Sequence, residues 1–165
     1  LPARSEMCIR DSYLPEQKRF SMLSARKGGD CVKLWYLDTS AAMKLIAQEK
    51  ESDALDEAIV TESPALFSST LLETELRRAR RFLPEIGAND IEDLIDAISI
   101  FEIDRSIFRV AGMLPGKHLR SLDAIHIAAA LLGGCTAMVT YDHRMAEAAE
   151  EAGLTVVSPG SAWNP

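Results

Sequence analysis

The chain has 165 residues, 47% of them apolar, and a formal net charge of −7. This length and composition suit one domain with a real core and exclude a disordered tail. The negative balance excludes a nucleic-acid binder built on a broad basic face, but not an enzyme with a small basic rim around an acidic centre, where bound metal would offset the acids locally.

Residues 1–31 are polar, basic and aperiodic, and run into Arg26, Lys27, Gly28, Gly29 and Asp30. They read as a poorly ordered or artefactual extension. The stretch from Ser5 to Ser12 resembles a translated sequencing adapter, which would move the natural start to Met22 or near Val32. The three cysteines, Cys8, Cys31 and Cys135, are far apart and form no zinc spacing; they read as reduced thiols. No run approaches the roughly 18 apolar residues of a membrane helix, and the N-terminus lacks the apolar core of a signal peptide. The expectation is a cytoplasmic protein with no membrane partner.

From Val32 onward, short apolar runs alternate with amphipathic segments. Residues 34–37 predict a strand, 39–49 and 53–61 helices, 65–67 a second strand and 70–83 a helix. Pro84 and Gly87 break the chain, and Asn89 or Asp90 can cap a helix running to Ile100. Residues 101–103 predict a third strand and 106–113 a helix. Ser121 can cap a helix through Leu132, which Gly133-Gly134 ends. Residues 137–141 predict a strand, 144–152 a helix and 155–157 a last strand. Strands alternating with helices imply an α/β sandwich with a mainly parallel central sheet and helices on both faces, spanning 32–160, with 161–165 as a tail. In such sheets ligands bind beyond the carboxyl ends of the strands.

Four carboxylates occupy unusual places. Asp38 and Asp142 each follow a strand and precede a helix, where either could be a plain helix cap; on neighbouring strands they would converge. Glu75 falls within the apolar stripe of Leu71, Leu72, Leu76, Ala79, Phe82 and Leu83, whereas Glu73 lies opposite, with Arg77, Arg80 and Arg81. A charge on a core-facing stripe is costly unless paired, so Glu75 either pairs with Arg78 at i+3 or serves a site. Asp123 opens a helix that is apolar on nearly all sides, where it either answers the helix dipole or belongs to the same site. His126, one turn on, reads as a satisfied core histidine, and His143 as a rim residue. Acids without partnering His or Cys suit magnesium or manganese rather than zinc. Such ions activate water and steady the leaving oxygen in phosphodiester hydrolysis. The apolar Ala42, Leu45, Ile46 and Leu83 are expected at the surface, as a groove for a partner helix or a homodimer face.

Four stretches in order, LDTSA (37–41), LETELRRA (72–79), LDAIHIAAA (122–130) and VTYDHRM (139–145), resemble the four motifs of PIN domains, and AAEEAGL (148–154) continues the last in the style of VapC toxins. The resemblance covers about Val32 to Gly160. It implies a PIN-like three-layer sandwich and a metal-dependent endoribonuclease acting on RNA, the toxin of a type II toxin–antitoxin pair, neutralised by a VapB-like antitoxin and usually homodimeric. Asp38, Glu75, Asp123 and Asp142 take the family's acidic positions. Asp38 and Asp123 are expected to hold the main magnesium (or manganese) ion, with Glu75 and Asp142 completing the cluster. Ser40 and Thr140 match its supporting hydroxyl positions. Arg78, Lys117, Arg120 and Arg144 are candidates for the RNA backbone. The alternatives are a PIN-fold nuclease of RNA or DNA processing without a toxin role, and an inactive PIN interaction module.

Overall fold

A computed structural model describes residues 32–163. The expectations for residues 1–31, including Cys8 and Cys31, lie outside the described residues. The elements run β1 (Leu34–Leu37), α1 (Thr39–Ile46), α2 (Ser52–Glu62), β2 (Ala65–Ser69), α3 (Thr70–Ala79), α4 (Ala88–Ala97), β3 (Ser99–Phe101), α5 (Arg105–Ala111), α6 (Ser121–Leu132), β4 (Ala137–Val139), α7 (His143–Glu151) and β5 (Thr155–Val157).

The five strands form one sheet in the order β3-β2-β1-β4-β5, and every pairing is parallel. β1 reads Leu-Trp-Tyr-Leu, an unbroken apolar run, because both of its faces are covered. Its side chains alternate between two cores. Trp35 and Leu37, with Ala137 and Val139 of β4, pack under α1 to α4 through Ala41, Leu55, Leu72, Leu76 and Ile91. Tyr36 and Met138 point to the opposite side, against Ile107 of α5, the run Ile127–Ala130 of α6 and Met145 and Ala149 of α7. The result is three layers: helices, parallel sheet, helices.

After β1 the chain builds outward through β2 and β3, then returns to lay β4 on the other side of β1. The strand order therefore reverses between β1 and β4, and the crevice beyond their carboxyl ends is the expected ligand position. Leu37 pairs with Val139, and the Asp38 N–H donates to the Val139 carbonyl at 3.2 Å. Asp38 and the loop to Asp142 thus leave adjacent strand ends.

Several boundaries differ from the sequence expectation for local reasons. α1 stops at Ile46 because the Ser52 hydroxyl donates to the Ala47 carbonyl and accepts from the Glu49 N–H, which closes a turn. α3 stops at Ala79, so the stripe does not extend to Phe82, which is 79% exposed. β3 lies two residues earlier than expected, because Asp104 caps α5 by accepting from the N–H groups of Ser106 and Ile107. α6 begins at Ser121 with Arg120 at its cap and no side-chain cap, so Ser121 is not the capping residue. Ala42 is fully buried and Leu45, Ile46 and Leu83 are half-buried, so these residues do not form the exposed apolar face expected of them. Among the described residues, no helix is long and apolar enough to cross a membrane.

Candidate active site

Asp38 is held from three directions. Its Oδ1 accepts the Ala41 N–H at 2.8 Å, as an N-cap of α1. The Ser40 hydroxyl lies 2.8 and 2.9 Å from its two oxygens, and the Thr140 hydroxyl donates to Oδ2 at 2.7 Å. The side chain is only 1% exposed. Burial pushes its carboxyl above the ordinary range, against the opposing pull of Thr140, Ala41 and Ser40.

The same hydroxyls tie the two strand ends together. Ser40 Oγ accepts the Tyr141 N–H at 2.7 Å, and Thr140 Oγ1 accepts the Asp142 N–H at 3.1 Å. This explains why β4 stops at Val139: side chains of the site take backbone bonds that a longer strand would have used. Asp142 caps α7, accepting the N–H groups of Arg144 at 2.9 Å and Met145 at 3.3 Å. Burial acts to raise its carboxyl, but the Arg144 guanidinium, 3.2 Å from Oδ2, and these backbone bonds outweigh burial and hold it low.

Glu75 points from α3 toward the same end of the sheet, and its partners are not Arg78. The Thr39 hydroxyl donates to its Oε2, and His126 Nε2 lies 2.7 Å from that same oxygen. Burial acts to raise the Glu75 carboxyl, but His126 and Thr39 hold it below the ordinary range. Glu73, one face away, pairs with the exposed Arg77.

Asp123 sits in the first turn of α6, in electrostatic reach of Asp142. Its Oδ2 is buried and accepts no hydrogen bond. Burial and the Asp142 charge push its carboxyl up, and Arg120 and Arg144 oppose them. An acceptor oxygen that is buried, charged and without a donor is unfavourable unless a cation completes it.

Asp38 is thus tied to the Asp142 loop through Thr140, Asp123 of α6 lies in electrostatic reach of Asp142, and Glu75 of α3 is bonded to Thr39, the residue after Asp38. Among the described residues the four acids do not form a closed set of three or more ligands around one point. Magnesium is compatible with that arrangement, because it keeps several waters and usually takes only one or two protein carboxylates. Arg120 and Arg144 flank Asp123 and Asp142, and Lys117 and Arg78 are exposed.

His126 is the satisfied core histidine that the sequence suggested, and its bond to Glu75 is the feature the sequence reading did not foresee. It is 1% exposed, and its Nδ1 lies 2.8 Å from the Tyr36 hydroxyl, which lies 2.9 Å from Ser69 Oγ. The available signal was its spacing: at three residues from Asp123 it shares that acid's helix face.

A family model for the PIN domain matches residues 35–151. Ribonuclease VapC35 of Mycobacterium tuberculosis is 44% identical over 132 residues, covering 77% of this chain and 98% of that protein. Ribonuclease VapC46 of the same species is 36% identical over 126 residues, covering 75% and 96%. The chain belongs to the PIN-domain family, in its VapC branch. The fold is shared by the crystal structure of Mycobacterium tuberculosis VapC20, described as a sarcin-ricin loop cleaving toxin, at a TM-score of 0.60 and 14% identity over 76% of this chain and 99% of that one.

Proposed function

We propose that the chain is a magnesium-dependent endoribonuclease, manganese being an acceptable substitute, and that it is the toxin of a VapBC-type pair. The observation that carries the reading is the buried, donorless Oδ2 of Asp123 beside Asp142. Its relatives' names supply the reaction class, and the all-oxygen donor set suits a hard cation.

Asp123 and Asp38 are the residues that would hold the ion, with Asp142 and Glu75 completing the negative surround. A divalent cation would supply charge neutralisation at the phosphate and activation of the attacking water. The chain's own contribution is preorganisation. Ser40 and Thr140 fix the plane of Asp38, and Thr140 fixes Asp142 relative to it. Arg120 and Arg144 stand where phosphate oxygens of an RNA strand would approach. A VapB-like antitoxin and a second copy of the chain are the proposed protein partners.

Incubation of the purified chain with total RNA tests the reading. Cleavage in magnesium or manganese that stops in EDTA is the expected result. Cleavage that persists in EDTA overturns the metal role, and intact RNA in magnesium overturns the nuclease reading.

A further inference from the structure

Ser69, Tyr36, His126 and Glu75 form a continuous run of side-chain hydrogen bonds that leads from the core to Glu75, and it explains how a charge is tolerated on α3's core-facing stripe. Both bonds to Glu75 converge on Oε2, from Thr39 and from His126 Nε2 at 2.7 Å. Oε1 has no hydrogen-bond partner among the described residues, and the side chain is 22% exposed.

The proton bookkeeping of the run has one self-consistent solution for a neutral ring. An ionised Glu75 can only accept, so Nε2 carries the proton and donates. Nδ1 is then bare and accepts from the Tyr36 hydroxyl at 2.8 Å. Tyr36 has spent its single proton, so its oxygen accepts from Ser69 at 2.9 Å. A ring with its proton on Nδ1 would set a lone pair against the Glu75 carboxylate and meet the Tyr36 oxygen with no acceptor for the phenol except Ser69. Tyr36 is itself immovable: it is fully buried in central strand β1, with its ring edge-on to His126 at 5.7 Å between centroids.

We propose that His126 is a positioning residue of the active site: anchored through Nδ1 on Tyr36, it grips Oε2 of Glu75 through Nε2–H and so leaves Oε1 for the cation or a water bound to it. The inference rests on the nuclease reading for its consequence, though not for its geometry. Outer hydrogen-bond partners of metal-site groups orient them, and their loss reduces metal affinity or activity by roughly 10–100-fold. His126 contacts neither substrate nor reacting atoms in this scheme; it acts through Glu75.

Long-range proton–nitrogen NMR of the metal-free full chain in alkaline buffer reads the ring directly. The expected signature is a protonated Nε2 and a bare Nδ1 for His126; the opposite tautomer overturns the proposal. His126→Leu removes the grip, and His126→Gln returns an amide N–H near the position of Nε2. The Leu variant should lose roughly 10–100-fold in kcat at saturating magnesium with KM for RNA unchanged, and the Gln variant should recover several-fold of that loss. An undiminished kcat in the Leu variant, or a Gln variant no better than Leu at equal thermal stability, overturns it. Should the Leu variant not fold, Tyr36→Phe keeps the ring volume and removes one anchor. It should lower kcat about tenfold with KM unchanged, and an unchanged kcat overturns the proposal. If the unmodified chain cleaves no RNA, the nuclease reading fails, while the spectrum still decides how His126 holds Glu75.

Discussion

Glu73 and Glu75 are two residues apart on α3, yet one lies in water and the other in the crevice. Glu73 shares the exposed Arg77 with Glu92, and surface pairs of this kind contribute little. Glu73→Gln should therefore leave both cleavage and the melting midpoint nearly unchanged. Glu75→Gln keeps the shape but removes a charge at the ion's surround, and should reduce cleavage of RNA by about a hundredfold or more. The reverse pattern in a cleavage assay would put the site on the other face of α3. Asp123 gives a second test at this scale, in the metal-free protein. Its raised carboxyl is an acid whose charged form the fold disfavours. That penalty is full above the raised folded pKa and is lost as pH falls to the unfolded value near about 3.9. Asp123→Asn should raise the melting midpoint at neutral pH, and the gain should vanish in acid. The same variant should no longer be stabilised by magnesium, whereas the unmodified chain should be, because a ligand that binds only the folded state raises its midpoint. A magnesium shift that survives the substitution would place the ion elsewhere. The partners of His126 were not legible at this scale, because they lie 51 and 90 residues away along the chain; its spacing from Asp123 shows the shared helix face but not Glu75 or Tyr36.

At the scale of elements, the strands were legible because burial on both faces of a parallel sheet leaves an unmixed apolar run, as in β1 and β4. Element ends were less so. β4 stops short because Ser40, a residue of another helix, takes the Tyr141 N–H, and α1 stops short because Ser52 folds back on Ala47. Those are tertiary and turn effects that hydrophobic periodicity does not carry. α6 was legible as a central helix from its composition, and its seating can be tested at its end. A Cβ on Gly133 would stand 2.4 Å from Phe101 Cζ and 2.8 Å from the Ala129 carbonyl oxygen. Gly133→Ala should therefore push the end of α6 off β3 and destabilise the fold by about 1–3 kcal/mol, the usual range for overpacking, measured by denaturant unfolding. Because Asp123 and His126 ride on the same helix, cleavage should fall along with stability. An unchanged unfolding midpoint would mean that Phe101 swings aside freely.

For the whole molecule, the motifs predicted that Asp38 and Asp142 leave neighbouring strand ends, and the strand order supplies the reason: β1 and β4 pair and flank the point where the order reverses. What the sequence could not supply was the looseness of the acidic set, which depends on side-chain directions fixed only by packing. The overall charge of −7 makes a further expectation quantitative. Among the described residues only a few cations, Arg120 and Arg144 first, flank the acids. Single-stranded RNA should bind a cleavage-dead Asp38→Asn chain with a shallow salt dependence, since each neutralised phosphate adds about −0.7 to the slope of log affinity against log salt. Titrations across salt concentrations should give a slope of about −2; a slope several times steeper would reveal an additional basic surface.

The hydroxyl of Thr140 that clamps Asp38 comes from 102 residues further along the chain, and the crevice has no floor until β4 has been laid against β1. During synthesis, at about 5–20 residues per second, the second half of the clamp is made roughly 5–20 s after the first. Until then Asp38 has no Thr140 to hold it, and neither Asp142 nor a docked α7 exists. On the proposed nuclease reading, topology therefore delays assembly of the centre on the ribosome until α7, the last helix among the described residues, has emerged.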